Sequence, residues 1–445
     1  MLYYALVALW VLSTAVLWWR VDRLARRLRG SRFRRIVQRT YRILLACFVA
    51  LSLFFPVILL VNGVQTIDLD SIPQWLVLAG YLWCVAVLTP IQLLLIVWGS
   101  FAGPLRLFRH VQARRRRAKA TRVVDASAAA SKPATEPDTT PAWSRRDALW
   151  LAAAALPPVV STALAAAAAA QVGAFRIRRE TLFIPSLPRD LDGLSVTHLT
   201  DLHVGNFLGE QTVDAVAAAV DELKPELVVF TGDLIDRGLL YRVPRGFRLI
   251  DHIMRHRRYP FAMIEGNHDV IGNALVFEKA AREGAGQNLL LDEQLIVHPR
   301  GRYFSPVQLL GITWGKLTTP GEMGQFDSDP DRPIRVNDDG LTAQRVSAVA
   351  TLRQPGAFPI LLAHHPHALD AAAEADLPLT LAGHSHGGQM MLSDHVGVGP
   401  MRFRYWAGTH RRGNATMSIS NGIGAWFPLR VNAPAEIVHL TLRVP

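Results

Sequence analysis

The chain has 445 residues, half of them apolar and 19% charged, which excludes bulk disorder and leaves room for more than one domain. Its formal charge of +12 invites a nucleic-acid reading, but the excess sits at one end: residues 1–147 carry 21 Lys and Arg against 7 Asp and Glu, residues 148–445 carry 27 against 29. The last two thirds are nearly neutral, so no nucleic-acid partner is expected there. The 2 cysteines, Cys47 and Cys84, both lie in apolar runs and leave the C-terminal part without a disulfide framework or a thiolate metal site.

In chain order, Leu2–Trp19, Ile43–Val61 and Trp75–Trp98 are free of charge, and each approaches the ~20 residues a helix needs to cross a bilayer. Trp and Tyr crowd several of their ends, where an interfacial belt would place them. The loop Arg20–Arg42 holds ten arginines and the single acid Asp22, whereas Asn62–Gln74 holds two acids and no base. The stretch after the third run, RLFRHVQARRRRAKATR, is again basic. Basic loops stay inside, so the N-terminus is expected outside, followed by in, out and in again.

Residues 123–143, rich in Ala, Ser, Thr and Pro, read as a flexible linker. Ser144-Arg145-Arg146-Asp147 then precedes the Ala-rich run Ala148–Gln171. Two readings stand open: a fourth span, or a twin-arginine-like signal anchor in which Ala148 replaces the usual aromatic. Both put the C-terminal part of the chain outside the cytoplasm. The expected domains are therefore a three-helix transmembrane module over 1–105, a basic cytoplasmic segment and linker over 106–147, the fourth helix or signal anchor over 148–172, and an α/β domain over 176–445.

Within that last domain, Leu194–Thr200, Leu227–Thr231, Phe261–Ile264, Ile360–Ala363 and Leu377–Ala382 read as buried strands. Helices are expected over Glu210–Leu223, Gly246–His256 and Asn273–Glu283, and a long loop or lid over Gly315–Gly340. Strand and helix alternate, as in a layered α/β core.

The strands end in Thr200-Asp201-Leu202-His203, Gly232-Asp233-Leu234-Ile235-Asp236, Gly266-Asn267-His268-Asp269, His364-His365-Pro366-His367 and Gly383-His384-Ser385-His386-Gly387-Gly388-Gln389. Any one block alone is commonplace. Five strand ends delivering Asp, His and Asn point to one shared site. Carboxylate, imidazole and amide oxygen suit Mn, Fe or Zn, and one carboxylate must lie between two cations ~3.5–4 Å apart. Glycines beside Asp233, Asn267 and His384 are expected to let the backbone turn sharply.

The series D-x-H, G-D-x-x-D, G-N-H-D, H-x-P and G-H-x-H resembles the calcineurin-like metallophosphoesterase superfamily over residues 190–445. The GHSHGGQ form and the tail Asn421–Pro434 are similar to its bacterial membrane-associated branch, which includes UDP-2,3-diacylglucosamine hydrolase-like proteins. The resemblance implies a four-layer αββα sandwich for the C-terminal domain, beside the helical membrane module. It implies Asp201, His203 and His386 on a first divalent metal ion, Asn267, His364 and His384 on a second, and Asp233 between them. His268 would give a proton to the ester rather than ligate; Asp269 would orient it, and Asp236 would be a supporting acid. His198, His365 and His367 would be structural or pocket-lining. The expected activity is a membrane-anchored, binuclear-metal phosphoesterase or pyrophosphate hydrolase working by metal-activated hydroxide at the outer face of the cytoplasmic (inner) membrane. The branch suggests lipid-linked substrates such as UDP-2,3-diacylglucosamine, although the loop charges separate the domain from a cytoplasmic pool. The alternative is a non-catalytic membrane sensor of metal or lipid built on the phosphatase fold, which the complete ligand set disfavours.

Overall fold

A computed structural model describes Gln112 and residues 174–445, except 206–207, 209, 237–246, 253–258, 271–273, 318–334, 337–338, 390, 394–395, 398, 402, 425–429 and 431. Gln112 aside, these belong to the second of two compact units, Ala167–Pro445. The expected membrane module, linker and 148–172 helix lie outside the described residues. Among the described residues no helix is long and apolar enough to cross a membrane.

The domain is built on two mixed sheets. The first has the order β1 (Phe175–Phe183), β15 (Ala435–Arg443), β2 (Leu194–Leu199), β3 (Leu227–Thr231), β4 (Phe261–Ile264). The second has the order β13 (Gly408–Arg412), β14 (Ala415–Ile419), β10 (Leu379–Ala382), β9 (Phe358–Leu362), β6 (Val307–Gly311), β5 (Glu293–Val297). Strands β2, β3 and β4 run parallel, as do β6, β9, β10 and β14, while β15, β5 and β13 are antiparallel to β2, β6 and β14 respectively.

Side-chain alternation along these strands sets the layers. On β3, Leu227 and Val229 join Val196, Leu309, Ile360 and Leu381 in the core between the sheets. Val228 and Phe230 face the other way, onto Val216 and Val220 of α1 (Glu210–Leu223) and Phe277 of α3 (Ala274–Ala285). Between β4 and α3 lies the single turn α2 (Asn267–Val270), which carries one of the five blocks. On the far side, Leu310 and Leu361 meet Val346 and Val349 of α4 (Asp339–Ala350) and Ala368 of α5 (Ala368–Glu374). Helices thus cover the outer face of each sheet, with the order α, β, β, α. The helix expected over Gly246–His256 is described at 247–252 only. Of the long loop, a short ribbon of β7 (Lys316–Leu317) and β8 (Arg335–Val336) is described. A second ribbon, β11 (Met391–Ser393) with β12 (Val396–Gly397), comes after the last block.

Several strands escape a search for apolar runs. β1 reads FRIRRETLF and is an edge strand whose charges are partnered from afar. Arg176 Nη2 and Arg178 Nε reach the buried Glu436 of β15, each at 3.0 Å. The register places Phe175 opposite Ala435, and Val438 opposite His198, so β1 starts at the end of the sheet where β2 delivers Asp201.

Candidate metal centre

Asp201, His203, Asp233, His384 and His386 all hold left-handed backbone, with φ of 51°, 48°, 58°, 68° and 51°. Such values are unfavourable for residues with a Cβ and persist where the surroundings impose them. Strain therefore concentrates at these strand ends. The glycines contribute differently from expectation. Gly232 does turn at φ 93°, but Gly266 and Gly383 have ordinary φ and serve close approach. A Cβ on Gly266 would collide with the Asp233 carboxylate, and one on Gly383 with Asp201 and Thr200.

The turns converge the side chains in two groups. In the first, His203 Nε2 lies 3.0 Å from His386 Nε2, and His386 Nε2 lies 3.3 Å from Asp201 Oδ1. In the second, Asn267 Oδ1 lies 3.1 Å from His364 Nε2 and 2.8 Å from His384 Nδ1. Asp233 Oδ2 stands between them, 3.5 Å from His203 Nε2 and 3.2 Å from His364 Nε2. Backbone ties join the halves: His384 N–H donates to Asp201 Oδ2 at 3.0 Å and His268 N–H to Asp233 Oδ1 at 2.8 Å.

This donor set fits divalent cations. Carboxylate and amide oxygens face imidazole nitrogens at contact distance, all turned inward from a buried shell; Asp201, His203 and Asp233 are at most 1% exposed. His364 Nδ1 is 2.7 Å from the Thr231 carbonyl oxygen, which takes its N–H and leaves the Nε2 lone pair for the cluster. Burial works against charge on Asp201 and Asp233, yet the imidazoles around them, His386 and His364 foremost, hold both carboxyls below the usual range. Burial likewise opposes a proton on His364, but Asp233 and Asp201 push it up to about 9. At His384 and His386 burial wins instead and holds both imidazoles well below their usual range.

His268 lies beside this cluster, its ring edge-on to His203 with centroids 4.6 Å apart. Its Nδ1 is 2.9 Å from the Asp236 carbonyl oxygen and 3.1 Å from Oδ1. Burial opposes its charge, but Asp233 and Asp236 raise it to about 9. The expectation that Asp269 orients His268 is corrected. Asp269 accepts the N–H groups of Asp233, Ile235 and Gly266 at 2.8, 3.0 and 2.9 Å, so it ties the turns together, and Asp236 holds the imidazole. His198 is buried against Thr231 Oγ1 at 2.7 Å, and burial lowers it to about 3. His367 bridges Asp339 Oδ1 at 2.7 Å and the Arg404 N–H at 3.3 Å.

Residues 194–388 match the family model for calcineurin-like phosphoesterase. The domain is a calcineurin-like metallophosphoesterase. It is a metal-dependent hydrolase, and the matched span contains every Asp, His and Asn of the five strand-end blocks. The chain is 27% identical over 262 residues to an uncharacterized metallophosphoesterase of Bacillus subtilis, YkuE, covering 58% of this chain and 82% of that one. It is 26% identical over 270 residues to a Danio rerio transmembrane protein with metallophosphoesterase domain, covering 58% and 55%, so the match spans about half of that relative. It is 25% identical over 257 residues to the phosphodiesterase YaeI of Escherichia coli, covering 56% and 81%.

Three neighbours of the phosphoesterase centre are absent from the sequence reading. Trp314 packs against the second group, edge-on to His364 and tilted to His384, with ring centroids 5.4 Å and 5.3 Å away. Phe403 meets His384 edge-on at 5.5 Å. Arg430, 2% exposed, places Nη2 3.1 Å from His386 Nδ1. Trp314 comes soon after the end of β6, so the strand-end rule would have found it had β6 been recognised. Phe403 carries no local signal, and Arg430 lies in the tail Asn421–Pro434, whose family likeness assigns it no role.

Proposed function

We propose that the chain is a membrane-anchored phosphoesterase holding two divalent cations, one by Asp201, His203 and His386 and the other by Asn267, His364 and His384, with Asp233 shared. The observation that carries this reading is the single oxygen Asp233 Oδ2 standing 3.5 and 3.2 Å from one imidazole of each group. Bound cations of the Mn, Fe or Zn type would acidify water and neutralise charge on the phosphoryl oxygens. The protein's own residues do the rest. Asp236 occupies His268 Nδ1, so Nε2 is the atom that hands a proton to the leaving oxygen. The backbone N–H of His268 on Asp233 Oδ1 keeps donor and bridge in fixed relation.

Anchoring draws on the three charge-free runs before residue 100. It also draws on the Danio rerio relative, whose name includes a transmembrane protein. An anchored site suits a lipid-linked phosphoester or pyrophosphate; the loop charges favour the outer face of the inner membrane, and a cytoplasmic domain would instead meet UDP-2,3-diacylglucosamine.

The full chain is assayed on mono- and diesters before and after chelation, with metal content read by elemental analysis. Close to two cations per chain and activity lost with them are expected; activity that survives chelation overturns the reading. For placement, a reporter active only after export should give signal when fused beyond residue 172 and none at about residue 118. The reverse pattern puts the domain in the cytoplasm, with the nucleotide-sugar lipid.

A further inference from the structure

The segment after β14 closes over the first group without contributing a ligand to it. Ile423 N–H donates to the Thr200 carbonyl at 3.1 Å and Gly424 N–H to the Asp201 carbonyl at 2.7 Å. Gly422, at φ 76°, lies so close that a Cβ there would stand 2.5 Å from Asp201 Cβ. The carbonyls of 421, 422 and 424 gather on one side chain. Arg430 donates through Nη1 to the carbonyls of Asn421 at 3.0 Å and Ala433 at 3.1 Å, and through Nη2 to Asn421 at 3.0 Å, to Gly422 at 3.4 Å and, at closer range, to Gly424. The same Nη2 lies 3.1 Å from His386 Nδ1, on the ring whose Nε2 faces Asp201 and His203. A buried guanidinium is expensive unless its donors are filled, and here backbone oxygens fill them. Nothing comparable joins Arg430 to Asn267, His364 or His384 among the described contacts.

We infer that Arg430 is a positioning residue for the first metal group alone, holding Asp201 through the 421–424 backbone and fixing the place of the His386 ring by packing against its Nδ1 edge, where a ring that gives its Nε2 lone pair to a cation carries its proton. This role rests on the two-cation reading of the centre. A lysine keeps the charge but cannot span the four carbonyls of Asn421, Gly422, Gly424 and Ala433 with one planar fork.

The test loads the full chain with Co²⁺ and measures the two site affinities separately, by titration of the cobalt absorption and by elemental analysis. Arg430→Lys should weaken the first site by roughly 10–100-fold, the usual worth of a residue that orients a metal ligand, while the second site in the same molecule keeps its wild-type affinity. That second site is the internal reference for folding. Unchanged affinities at both sites, or equal loss at both, overturn the inference. A wild-type chain that binds one cation contradicts the two-cation reading instead. A measurement on the unaltered protein stands beside the variant. If the loop sets the first site, filling that site must stabilise the loop, so hydrogen exchange at the Ile423 and Gly424 amides should slow when the first cation binds. Exchange that ignores the cation also overturns the inference.

Discussion

The two halves of the centre are held in place by different means. Each side chain of the first group, Asp201, His203 and His386, sits on left-handed backbone and is at most 3% exposed, and Asp201 and His386 are braced by residues 421–424 and Arg430. In the second half His384 alone is left-handed, Asn267 and His384 are half-buried, and the bracing comes from rings, Trp314 and Phe403 against the imidazoles. The first half is a product of tightly turned backbone. The second is a product of side-chain packing on a more open face. A site fixed by backbone gives up its ion slowly, whereas one walled by half-exposed rings exchanges with solvent, so the second cation is expected to leave first during graded chelation.

The largest effect is expected where the halves meet. Asp233→Asn should empty both sites and lower turnover by more than roughly 10³-fold, beyond what one electrostatic contact is worth. Full metal occupancy in that variant erases the distinction between a shared bridge and two separate sites. Next comes the division between metal binding and proton transfer. His268→Ala should keep both metals and lose roughly 10²–10⁴-fold in turnover, more for esters with basic leaving groups than for a nitrophenyl ester. His364→Ala should lose the second metal and then activity with every ester alike. Metal loss in step with activity in His268→Ala would make that residue a ligand.

These divisions were readable to unequal depth from the chain alone. The five blocks stood out because each ends a continuous apolar run, and Leu227–Thr231 and Phe261–Ile264 form strands with the bounds the sequence suggests. The edges of the sheets were opaque. β1 carries Arg176, Arg178, Arg179 and Glu180, and it makes sense as a strand only when Glu436, far along the chain, is known to lie beside it. Arg430 has no local mark of burial, since charged side chains are seldom buried; its burial depends on the carbonyls of Asn421 and Ala433, which accept from it. Local patterns brought out the strand-end side chains that converge, and long-range contacts supply what holds them.

Smaller effects separate the braces. Asp236→Asn should keep both metals and reduce turnover by roughly 10-fold to 100-fold, less than His268→Ala, because the imidazole loses its orienting acid and stays present. An unchanged rate would leave Asp236 with no part in proton transfer. Smallest of all, Trp314→Ala should weaken the second site by roughly 10-fold and leave the first untouched, the mirror image of Arg430→Lys. A shift in the first site instead would break the contrast between backbone and ring support.

The shared carboxylate is tested most directly by electron paramagnetic resonance of the full chain loaded with Mn²⁺. A bridged centre should give the signature of a spin-coupled pair at full loading, replaced by the six-line signal of an isolated ion when the weaker second site is stripped by mild chelation. An isolated-ion signal at every loading, with two Mn²⁺ bound, would contradict a centre bridged by Asp233.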